Sequence, residues 1–156
     1  MLVLLFVAGC GKDKPAAIPM DIPFRGDGIL EFLAPDGSVI TRIAIEIAET
    51  DSAQIRGLMD RRSLPERGGM LFVYPNEEPR SFWMRSTPLP LDLLFITAGD
   101  SVLNVVPRTV PYSDDRIEST GPARHVLEVR AGFTERWGID PGTRIRWSRV
   151  DPPSAS

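Results

Sequence analysis

Apolar residues along the chain fall in short runs and at alternate positions, the period of strands rather than of helices. Residues 29–33 and 38–48 alternate in this way around a Pro35-Asp36-Gly37 turn. In the second run Ile43, Ile45 and Ile47 share one face, and Arg42 and Glu46 take the other. A helix is predicted from Asp51, whose side chain can cap it, with Gln54 in the capping-box position three residues on. Ile55, Leu58 and Met59 then form its buried stripe, and Gly57 implies close backbone packing or an early helix end. Residues 60–69 read as loop, and 70–74 and 81–84 as interior strands. Residues 91–97 are apolar on both faces, as in a central strand, and 101–106 follow a turn. Pro107, Pro111, Gly121 and Pro122 make 107–123 a long loop. A strand over 125–129 places His125, Leu127 and Val129 together. A short helix over 131–137 is closed by Gly138, and a last strand turns Ile145 and Trp147 inward.

Short strands between turns, with no regular β-α alternation, predict a mainly β fold (β-rich α+β). The expected form is a compact sandwich or distorted barrel with two short helices, built from one globular domain over residues 29–150. Residues 151–156 read as a frayed tail. A parallel doubly wound sheet is disfavoured.

The N-terminus departs from this pattern. Residues 1–10, MLVLLFVAGC, are unbroken apolar sequence, too short to span a bilayer but of the length of a signal-peptide core. The ending Val7-Ala8-Gly9-Cys10 resembles the lipobox of bacterial lipoproteins. That resemblance implies removal of residues 1–9, lipidation of Cys10 and a lipid-anchored domain outside the cytoplasm, in the bacterial cell envelope. Residues 10–28, with Pro15, Pro19 and Pro23, then read as an extended tether.

Composition narrows the function. The 156 residues carry 18 Lys+Arg against 21 Asp+Glu, and a net charge of −3 argues against general nucleic-acid binding. Cys10 is the only cysteine and His125 the only histidine, which excludes an internal disulfide and a His-pair metal site.

Three segments carry a family resemblance: Gln54–Met59, then Gly69–Val73, then Ser81–Met84 running on to Pro90–Phe95. Gly121–Glu128, Gly132 and Gly142 extend the pattern. Together they resemble the bacterial and archaeal family known as domain of unknown function 192, over roughly residues 40–148. Arg85-Ser86 stands where Lys-Asn is common in that family. The resemblance implies a compact β-rich fold, often behind a secretion signal, and implies no activity.

Candidate chemistry follows from those segments. Arg56 flanks its helix's buried stripe and can aim a guanidinium into a pocket. Asp92 falls in a strand apolar on both faces, where an ionised carboxylate needs a partner; Arg56, Arg85 and Arg124 are the available cations. Arg56, Met70, Trp83, Met84, Asp92 and Glu128 are the candidate ligand-binding set. Trp83 reads as a core aromatic or as a platform for a planar ligand such as a sugar. Asp92 and Glu128 are also the candidate catalytic acid and base for an envelope hydrolase acting on a glycan. Met59, Met70 and Met84 with His125 are a weaker candidate Cu(I) site, since thioethers are soft ligands and methionine is otherwise a core filler. Ser63, Ser81 and Ser86 lack nucleophile-elbow context. No cofactor is implied. The sequence therefore points first to a membrane-tethered binding or interaction module for a small molecule or an envelope partner, and second to a hydrolase or a copper-binding protein.

Overall fold

The computed structural model describes residues 21–150. Seven strands form one sheet: β1 (Gly28–Leu33), β2 (Val39–Ala48), β3 (Gly68–Phe82), β4 (Leu91–Ile96), β5 (Val102–Val106), β6 (Ile117–Arg130) and β7 (Arg144–Arg149). Two helices accompany them, α1 (Asp51–Arg56) and α2 (Phe133–Trp137). The spatial order is β5-β4-β6-β3-β2-β1-β7. All neighbours are antiparallel except β2 and β3. A parallel pair needs a crossover, and here α1 with the loop after it supplies one.

The sheet curls into a half-barrel whose two edges meet at one end. Ser101 bridges Arg144, the Val102 N–H donates to the Thr143 carbonyl (2.8 Å), and the Ile145 N–H donates to the Asp100 carbonyl (2.8 Å). Alternation divides the apolar residues between two cores. The inner one gathers Leu30, Phe32, Ile43, Ile45, Leu71, Leu94, Leu127, Val129 and Ile145, with Phe133 of α2 tilted against Phe32. The outer one, under the α1 crossover, gathers Leu58, Met70, Phe72, Met84, Leu93, Phe95 and Val126.

Several local expectations change. Thr50, not Asp51, caps α1, accepting from the Ala53 N–H. Gln54 makes no capping box; its Nε2 donates to the carbonyls of Ala48 (3.4 Å) and Val73 (2.9 Å), fastening the helix to the sheet. Ile55, expected in the buried stripe, is 75% exposed, whereas Leu58 is buried. The segment expected as two strands is one, β3, and residues 117–123 of the expected 107–123 loop belong to β6. Beyond Val73 these two strands continue as a ribbon, with Glu78 opposite Ala123, Pro79 opposite Pro122 and Phe82 opposite Ile117. The expected tether is docked from Asp21 onward. Phe24 packs on the outer core, the Arg25 N–H donates to Glu46 Oε1 (2.7 Å), and the Asp27 N–H donates to the Ile45 carbonyl (2.9 Å). The signal segment, Cys10 and the rest of the tether lie outside the described residues, as does the C-terminal tail.

Candidate functional site

The crossover stands off the outer face and leaves a cleft between α1 and the β3–β6 ladder. It encloses about 230 Å³, and its lining includes Gln54, Arg56, Phe72, Phe82, Trp83 and Glu128. Each wall has a local cause. Gly57 ends α1 with φ 48° and ψ −137°, a backbone region open to glycine. A Cβ there would stand 3.2 Å from the Phe72 ring. The ribbon carries Phe82 past the main sheet, where it meets Phe72 edge to face (centroids 5.0 Å apart). Positive φ at Ser86 turns the chain back under the helix, so that the Asp60 N–H donates to the Ser86 carbonyl (2.7 Å).

Glu128 forms the floor. It is 5% exposed, and its Oε2 has no hydrogen-bond partner. Across the ladders it faces Met70 on β3 and Leu93 on β4, both apolar. Burial without a neighbouring cation pushes its carboxyl up to about 8. Glu128 is therefore mostly protonated at neutral pH, able to donate one hydrogen bond and accept others.

The mouth is polar and positive. Arg116 lines it and donates to Ser81 Oγ (3.2 Å), with its guanidinium 5.7 Å from the Trp83 ring. Arg85 stacks on the same ring at 4.4 Å and pairs with Asp114 (2.7 Å). Trp83 is 39% exposed, so the expectation of a core aromatic does not hold. Arg56, also on the lining, forms an exposed pair with Asp60 (3.5 Å).

Asp92 sits elsewhere. It pairs in register with Val129 while Glu128 pairs with Leu93, so the two carboxyls project from opposite faces of the sheet. None of Arg56, Arg85 and Arg124 is its partner. Asp92 Oδ1 accepts from the Arg108 N–H (2.9 Å) and the Gly132 N–H (3.1 Å). Its Oδ2 accepts from the Thr134 N–H (2.9 Å) and hydroxyl (2.7 Å). This carboxylate organises the N-terminal end of α2, and it cannot act with Glu128 as an acid–base pair.

His125 does not join the sulfur set, because it projects from the other face of the sheet. Met59 lines the cleft, Met70 is buried behind α1, and Met84 accepts from the Thr109 hydroxyl (3.2 Å). His125 projects to the inner face, edge-on to Trp147 (centroids 6.0 Å apart). Its Nε2 is 3.8 Å from Asp100, and burial holds its pKa below the usual range. Among the described residues no cluster of three or more His, Cys, Asp or Glu could hold a metal ion. Of the six proposed ligand residues, the cleft brings together Arg56, Trp83 and Glu128 and leaves out Met70, Met84 and Asp92. Phe72, Tyr74, Ser81, Phe82 and Arg116 were not singled out from sequence as ligand residues. The first four lie in or beside the family segments, whereas Arg116 falls in what reads as loop and carries no signal.

A family model described as an uncharacterized ACR group, DUF192, matches residues 32–147. Among solved structures, a protein of Sinorhizobium meliloti 1021 provisionally named a transcription regulator is 33% identical. It superimposes with a TM-score of 0.74 over 78% of this chain and 93% of its own. A protein of unknown function from Novosphingobium aromaticivorans DSM 12444 is also 33% identical, with a TM-score of 0.73 over 88% of this chain and 100% of its own. No curated protein matches.

Proposed function

The chain belongs to the DUF192 family, and we propose that it is a binding module whose ligand site is the cleft above Glu128, held at the bacterial envelope by a lipid on Cys10. One observation carries the ligand-site reading: a buried carboxyl oxygen without a partner forms the floor of a cavity walled by aromatic rings. An unmade hydrogen bond costs roughly 1–3 kcal/mol in a buried group, and a ligand that supplies the bond recovers that energy. Apolar walls with a few convergent polar groups are the usual make-up of a small-molecule site.

The glycan-hydrolase reading loses support because its two carboxyls face opposite ways. The copper reading loses support because its imidazole lies on the opposite face of the sheet from Met70. The Sinorhizobium relative's name suggests a nucleic-acid partner, but the net charge of −3 gives little to neutralise phosphates. Membrane attachment rests on the lipobox resemblance alone; among the described residues no helix is long and apolar enough to cross a membrane.

Backbone-amide NMR of residues 21–150 against a mixed fragment set tests the site. Shifts concentrated on 54–59, 72–74, 81–83, 116 and 128 are expected. Fragments that bind only elsewhere, or not at all, would refute it.

A further inference from the structure

We propose, building on the cleft as a ligand site, that its ligand is a small amphoteric molecule. A primary ammonium group seats on Glu128, a carboxylate meets Arg116, and a flat apolar body fills the space between the aromatic walls.

Three features converge on this class. Glu128 has no cation beside it: its ladder neighbours Met70 and Leu93 are apolar, and Oε2 is unpartnered. An ammonium is the group that best compensates a buried carboxylate, since a charge-assisted hydrogen bond is roughly twice as strong as a neutral one. Second, Arg56, Arg80 and Arg85 each pair with a carboxylate (Asp60, Glu78 and Asp114). Arg116 makes no such pair among the described residues and donates only to a serine hydroxyl. Third, the walls are π faces that attract cations. Arg80 already lies 3.8 Å from the Tyr74 ring and Arg85 4.4 Å from that of Trp83. A simple anion meets Glu128 only through the one hydrogen bond that its protonated form donates, and a simple cation leaves Arg116 without a carboxylate partner. A zwitterion answers both, and 230 Å³ accommodates one ring with two short substituents.

Proton linkage follows. Seating an ammonium ionises Glu128, which is largely protonated at pH 7. Binding there releases close to one proton, and affinity rises about tenfold per pH unit up to about pH 8. The charged and titratable groups around Glu128 are Tyr74 and Arg80 on β3, Arg56 on α1 and Arg116 at the mouth. Burial raises Tyr74 above its ordinary value, which leaves Glu128 as the group that supplies the proton.

Calorimetry at pH 7 in two buffers of different ionisation enthalpy, with 4-(aminomethyl)benzoate, benzylamine and benzoate, reads this directly. The zwitterion is expected to bind at least tenfold more tightly than either half, with proton release. Glu128→Gln should abolish the release and weaken the zwitterion at least tenfold while sparing benzoate. Arg116→Met, on the exposed rim, should reduce the zwitterion to the level of benzylamine. Circular dichroism confirms that both variants fold. Benzoate binding as tightly as the zwitterion, or proton uptake, overturns the ammonium assignment. Silence from all three, while other fragments shift the cleft resonances, overturns the ligand class and leaves the site standing. If no fragment of any class shifts them, the site itself falls.

Discussion

Two buried carboxyls lie one residue out of step on adjacent strands, and their surroundings give them opposite chemistry. Glu128 has no donor, so the folded protein binds its proton more tightly than the unfolded chain does. Its contribution to stability is fully present below the ordinary value of 4.5 and is lost as pH rises towards about 8. Over that window the wild type should lose about 1.4 kcal/mol per pH unit relative to Glu128→Gln, and the difference should level off on either side. Urea unfolding of both proteins from pH 4 to 9 measures it, and parallel curves throughout would mean that Glu128 ionises freely in the fold. Asp92, by contrast, has four donors converging on its two oxygens. Asp92→Asn turns an amide toward those donors and should cost about 2–4 kcal/mol. It should leave the fragment-induced shifts in the cleft unchanged, because the side chain projects from the other face of the sheet. Loss of cleft binding at full stability would show instead that Asp92 acts on the ligand.

At the scale of elements, what sequence revealed depended on whether the signal was local. Alternation located β1 and β2, and an unbroken apolar run located β4, to within a residue or so, because each buries at least one face. Gly57 announced both of its roles, ending α1 and leaving room for the Phe72 ring. Gly57→Ala should therefore cost about 1–3 kcal/mol from φ strain alone. It should also shift the Phe72 side-chain resonances, and an unchanged melting temperature would contradict this account. The long ribbon of β3 and β6 was hidden because Gly121 and Pro122 read as loop and the apolar run of β3 stops at Tyr74. Prolines are tolerated there because β2 and β4 no longer flank the ribbon, and an edge strand can do without an N–H on its outer side. Trp83 and Ile55 were misplaced for a related reason. Periodicity tells which residues share a face, but not whether a crossover covers that face. The cleft exists because the crossover covers it incompletely.

For the whole molecule, the half-barrel separates a sealed inner core from an outer face that carries the crossover, the cleft and the incoming N-terminal segment. Asp21 accepts from the Arg62 N–H (3.3 Å), and the chain then runs along the outer core through Phe24. Arg25 and Arg61 both contact the buried carboxylate of Glu46, Arg61 through Nη2 at 2.6 Å, which ties that segment to the crossover. The docked portion brings the ordered chain to Asp21, eleven positions from Cys10. A lipid on Cys10 would then hold the cleft near the membrane surface, on the face where the tether arrives. Expressed as the full chain in a bacterium with a lipoprotein-processing pathway, the protein should fractionate with membranes and incorporate labelled palmitate. Cys10→Ser should abolish the label and release the protein to the soluble fraction, with the spectrum of the folded domain unchanged. Membrane association that persists in Cys10→Ser without label would place the attachment in the domain itself, and the exposed Ile55 and Trp83 at the cleft mouth would be the first residues to replace.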